Sequence, residues 1–180
     1  MMNLVNYELV TDLQLEHRVY RRYHASCDLL AEMGFVRQFV YSEMQIPYSL
    51  FLLLPVWLLM LVQREVLRRQ RPFRISSSYP LLFFPDHGTF ALVCGLGIKF
   101  YTLFDDGTGL ITSTISSRGL TNERLQLYKY IVSHDVEWAW TNHQERLRQF
   151  VLSGKHVQGN GRFQTYVTLS QREDQAMTSR

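Results

Sequence analysis

The hydrophobic positions of the chain follow different periods in different stretches, and each period predicts an element. Leu13, Val19, Tyr20, Tyr23, Cys27, Leu30 and Met33 recur at roughly helical spacing, which predicts one helix over residues 12–33. Thr11 or Asp12 is placed to cap its start, and Gly34 to stop it. Phe35–Ser42 alternates loosely and predicts a short strand. Ile75–Pro85 reads as extended, with Ser76–Ser78 as a short linker. Phe90–Phe104 is rich in aromatic and β-branched residues, and Leu96, Ile98, Phe100, Thr102 and Phe104 share one face. Turn chemistry at Asp105–Gly109 and a partner strand at Leu110–Ile115 complete a predicted hairpin.

Beyond Thr121 or Asn122, the positions Leu125, Tyr128, Val132, Val136, Trp140, His143, Leu147 and Phe150 predict one long helix to about Ser153, ended by Gly154. Phe163–Leu169 predicts a last strand, and residues 171–180 are polar and read as a mobile tail. The fold class expected is therefore α+β: a small antiparallel sheet, two long helices, and one apolar membrane-spanning or membrane-inserted helical segment.

That segment is the strongest departure from an ordinary pattern. Met44–Gln63 contains twenty residues without a charge, eleven of them Leu, Ile, Val or Phe. As a helix it would reach about 30 Å, the thickness of bilayer hydrocarbon. Its insertion would be favourable by roughly 5 kcal/mol before penalties. Ile46, Leu50, Leu54, Pro55, Trp57 and Leu61 are its expected anchor residues, and Pro55 would kink it. A full span, a hairpin re-entering on one side, and a buried core helix are all compatible with this composition. The chain then divides into 1–43 (helix and short strand), 44–63 (apolar segment), 64–74 (basic segment), 75–170 (α+β domain) and 171–180 (tail).

Charge sharpens the picture because it is uneven. The net charge is +3, and its positive excess lies within residues 64–74, where Arg64, Arg68, Arg69, Arg71 and Arg74 face one acid, Glu65. Residues 1–43 hold four Arg against six acids. A basic cluster abutting an apolar run suits anionic lipid headgroups better than nucleic acid, and it predicts that the chain after Val62 is cytoplasmic. No cleavable signal peptide is expected at the N-terminus, because Glu8, Asp12 and Glu16 interrupt it. Cys27 and Cys94 lack metal-binding spacing and read as small buried hydrophobes.

Candidate chemistry is sparse. Asp86 and His87, in Pro85–Gly88, are the candidate catalytic pair, a carboxylate beside a general base. Neighbours on an extended chain point to opposite faces, and Asp-His-Gly is also ordinary turn sequence. Asp105 and Asp106 are explained by turn formation. His17 with His24, and His134 with His143, have the wrong helical spacing to share a metal ion. Trp138 and Trp140, two apart on a helix, cannot both face a core, so one of them is a candidate interaction residue. No cofactor and no metal is expected. The function expected first is a membrane-anchored accessory or assembly protein with a protein partner and no catalytic activity. A membrane-bound enzyme acting on a lipid or small ester, and a ligand-binding domain whose apolar run is core, are the alternatives.

Overall fold

The computed structural model describes residues 4–46, 76–115, 122, 125–132 and 135–178. Seven strands make one sheet whose order in space is their order in the sequence: β1 (Leu4–Leu9), β2 (Val36–Ile46), β3 (Ser76–Phe84), β4 (Thr89–Cys94), β5 (Gly97–Leu103), β6 (Gly109–Ser113) and β7 (Leu127–Ile131). Each pairs antiparallel with the next, except that β7 lies parallel to β6. Four helices are described: α1 (Leu13–Arg22), α2 (His24–Glu32), α3 (Val136–Leu152) and α4 (Phe163–Thr178).

The sheet is buried on both faces, which the alternation along β5 makes plain. Ile98, Phe100, Thr102 and Phe104 point to one side, and Lys99, Tyr101 and Leu103 to the other. On the first side lie α1, α2 and α3, closing a core of Leu30, Phe35, Val40, Leu82, Phe100 and Trp140. On the second lies α4, where Tyr166 and Leu169 meet Tyr41, Leu81, Phe90 and Tyr101. The result is helix, sheet, helix.

Local signals set the helix ends. The Asp12 carboxylate accepts from the amides of Gln14 and Leu15 at the start of α1. Asp135 caps α3 in the same way through the amide of Trp138. Gly34, at φ +95°, lets the chain leave α2 and enter β2.

Several expectations are corrected here. The sheet is larger than the small antiparallel one predicted, and it is mixed. Residues 12–33 form two helices that break at Tyr23. Phe90–Phe104 is itself a hairpin, with Gly95–Leu96 as its turn, so Leu96 is 79% exposed and leaves the face assigned to it. The predicted long helix begins only at Val136, because Leu127–Ile131 alternates with period two and pairs with β6. Phe163–Leu169 is helical, since Tyr166, Ser170 and Glu173 fall on one helical face above the sheet.

The membrane element is corrected as well. Met44–Ile46, the start of the apolar run, are strand residues of β2, paired with β1 and in part with β3. An uncharged stretch has the same composition in a sheet as in a membrane, and pairing with neighbouring strands decides between them. No helix among the described residues is long and apolar enough to cross a membrane, so the spanning segment, the membrane location and the cytoplasmic placement after Val62 are not supported. Leu50, Leu54, Pro55, Trp57 and Leu61 lie outside the described residues, as do Arg64, Arg68, Arg69, Arg71 and Arg74.

Candidate functional site

Among the described residues, the most heavily charged interior lies between the sheet and α4. Strand alternation puts Lys99 and Tyr101 on the α4 side of β5, and Lys129 on the same side of β7. On α4, Tyr166, Ser170, Glu173 and Asp174 stand at i, i+4, i+7 and i+8, which is one face of a helix. Glu173, 3% exposed, accepts from Lys99 Nζ at 2.9 Å, Lys129 Nζ at 2.5 Å and the Tyr101 hydroxyl at 2.7 Å. Burial alone would raise its pKa, but the two ammonium groups and these hydrogen bonds outweigh burial and hold the carboxyl below the usual range.

The neighbouring carboxyls behave in the opposite way. Asp174 accepts from the Tyr7 hydroxyl at 2.6 Å, yet burial, joined by the charge of Glu173, raises its pKa. Glu43 on β2 is raised by burial and then by Asp174. Tyr41 and Tyr166 share a hydrogen bond of 2.5 Å beneath them. Three carboxyls and two lysines thus crowd one small volume, an excess of one negative charge when all are ionised. The three carboxyls and Lys99 line a cavity of about 210 Å³ together with Tyr79 and Cys94.

The cavity lies beside the point where the ladder between two neighbouring strands stops. Pairing of β3 with β4 ends at Leu81↔Leu92, while β3 runs back to Ser76 along β2 and β4 runs on to Cys94 along β5. Pro80 is the next residue of β3, and proline has no amide hydrogen to give a ladder. Beyond that point the ladder between the two strands has a gap. On the α1 side of the gap is a second cavity, of about 540 Å³, lined by Arg18 and Arg22 of α1, Ser77 and Ser78 of β3, and Tyr23. Tyr79, Cys94 and Leu96 line both cavities, so the two meet at the lip of the parting.

On the opposite side of the sheet His143 is fully buried between two threonines, Nε2 at 2.9 Å from Thr102 Oγ1 and Nδ1 at 2.9 Å from Thr112 Oγ1. Thr102 continues the chain of hydrogen bonds to Thr89 at 2.8 Å. Burial, and then the positive charge of Arg146 and the nearby His87, lowers the imidazole to about 3. It is therefore a neutral, structural bridge.

The residues singled out from sequence fall elsewhere. Pro85–His87 is a single 3₁₀ turn ended by Gly88 at φ +56°. Asp86 is exposed, and His87 stacks on the ring of Phe84 at 5.2 Å. No hydrogen bond joins Asp86 to His87 among the described residues. Asp106 is engaged by Lys155 and by the amide and hydroxyl of Thr108, which lower its carboxyl to about 2. Trp140 is buried against Phe35 and Phe100, while Trp138 is 51% exposed. His134 lies outside the described residues, and no trio of His, Cys, Asp or Glu suited to a metal occurs among the described ones.

The group around Glu173 was not anticipated. Two signals point to it: Lys99 and Tyr101 on the supposed solvent side of an otherwise apolar strand, and the helical spacing of Tyr166, Ser170 and Glu173 within a segment read as strand and tail. No family model matches the chain, and neither does any curated protein or solved structure.

Proposed function

We propose that the chain is a small-molecule binding domain that seats its ligand where β3 and β4 part. The observation that carries this reading is the parting itself, a ladder that stops at Leu81↔Leu92 with charged groups gathered at the cavities on either side. The larger cavity falls within the roughly 300–1,000 Å³ of ordinary ligand sites. Burying Glu43, Glu173 and Asp174 together costs desolvation that an apolar repacking would avoid, so stability alone is a poor account of them. Perturbed carboxyls beside a cavity make it a candidate site.

The test is a small-molecule library scored by thermal shift. Ligands of the parting raise the melting temperature of the native chain and not that of Cys94→Trp, which fills the shared lip. Leu96→Trp, on the exposed turn, serves the same purpose if the first variant folds poorly. A library in which every stabilising compound acts equally on native and blocked chains refutes the reading.

The assembly role expected from sequence has one observation in its favour, the exposed indole of Trp138 on α3. It is separable from ligand binding, because Trp138 lines neither cavity.

A further inference from the structure

The two cavities differ in sign. Leu15, Arg18, Val19 and Arg22 stand at i, i+3, i+4 and i+7 of α1 and turn one face to the larger cavity. No described carboxylate lines that cavity, and neither Arg18 nor Arg22 forms an ion pair among the described residues. Two guanidiniums with no described counter-charge, with the hydroxyl of Ser78, which also meets that of Ser42 at 2.8 Å, on the same side of β3, form a donor set suited to a carboxylate or phosphate. Across the lip the balance reverses. Glu43 and Asp174 stand beside the rings of Tyr41 and Tyr79, whose centroids are 6.0 Å apart, and Lys99 is already held by Glu173. Carboxyls together with aromatic faces suit an ammonium group.

We infer that the ligand is amphoteric, with a primary amine in the smaller cavity near Glu43 and Asp174 and an anionic group in the larger one near Arg18 and Arg22. The sizes agree with this division: the body of such a ligand fits the larger volume, and an ammonium group needs little more room than a water molecule, roughly 30 Å³. Because the cavities share Tyr79, Cys94 and Leu96, one linker crosses from one to the other. Joining the two ends in one molecule makes the second contact intramolecular, so a two-ended ligand exceeds either half by far more than their separate affinities suggest. The inference rests on the ligand-binding reading above and assigns the ligand its class.

Titration calorimetry of the full chain with four probes tests it: 6-aminohexanoate and O-phosphoethanolamine, which carry both ends, and hexylamine and hexanoate, which carry one each. At least one two-ended probe binds at least about tenfold more tightly than either one-ended probe. The pair Arg18→Gln and Arg22→Gln reduces it to the affinity of hexylamine. The pair Glu43→Gln and Asp174→Asn reduces it to that of hexanoate. Equal binding of hexylamine and the two-ended probes, unchanged by the arginine substitutions, overturns the amphoteric assignment and leaves the ligand-binding reading standing. Failure of both two-ended probes to bind in the millimolar range overturns it as well, and the library screen then decides the broader reading on its own.

Discussion

Replacing His143 with Gln isolates what a buried neutral imidazole contributes to stability. The ring is wholly enclosed, and each nitrogen meets one threonine hydroxyl. A neutral imidazole offers one donor and one acceptor, whereas the charged form would have to donate twice in a site without solvent. Burial, followed by the charges of Arg146 and His87, holds its pKa at about 3 against 6.5 in the unfolded chain. The sign follows from proton uptake. Above the unfolded value neither state binds a proton here, so stability does not depend on this group. As pH falls below it, the unfolded chain takes up a proton that the folded chain refuses, and stability drops until the folded value is reached. The loss approaches about 1.4 kcal/mol per pH unit, or roughly 3 kcal/mol by about pH 4. For a chain of this size that is a fall in Tm of roughly 6–12 °C. Gln keeps a donor and an acceptor, costs about 1–3 kcal/mol at neutral pH, and cannot titrate. Urea denaturation at a series of pH values between about 7 and 4 reads the result, with constant m-values confirming two-state behaviour. The native chain should lose its advantage over His143→Gln as the pH falls. The other titrating groups act on both proteins and cancel in the difference. Parallel stability curves for the two proteins would refute the reasoning.

Three further outcomes follow from the packing. Glu173→Gln removes the carboxylate that accepts from both Lys99 and Lys129 and should cost about 3–5 kcal/mol in urea denaturation, much of it restored by adding Lys129→Met. Because Glu173 is held below the ordinary carboxylate range, its contribution is present at neutral pH and lost as pH falls through that lowered value, an acid limb that the variant lacks. Gly88→Ala places a Cβ 2.7 Å from Gly159 Cα at a φ of +56° and should cost more than about 1 kcal/mol, whereas Gly95→Ala, with nothing within 4 Å, should stay within about 0.5. Trp140→Ala opens a void among Phe35, Phe84 and Phe100 and should cost about 3–5 kcal/mol, while Trp138→Ala should leave the melting temperature nearly unchanged.

What the sequence determined by itself is the set of features that act over a few residues. Asp12 caps a helix because its carboxylate reaches amides two and three positions on. Gly34 ends one because it accepts a positive φ, and Asp105–Gly109 turns because its side chains bond their own backbone. The divergence of Trp138 and Trp140 follows from helical geometry alone. Tertiary structure decided the rest. Leu127–Ile131 fits a helical stripe as well as a strand until β6 is there to pair with it. Phe163–Leu169 has the aromatic content of a strand and becomes a helix because its face completes the core over β5. The start of the apolar run carries no mark of its environment, and β1 and β3 draw Met44–Ile46 into the sheet. The Glu173 cluster joins residues 44, 72 and 74 positions apart in sequence. Charges buried at that separation are favourable only after the fold has brought them together, so no local pattern announces them.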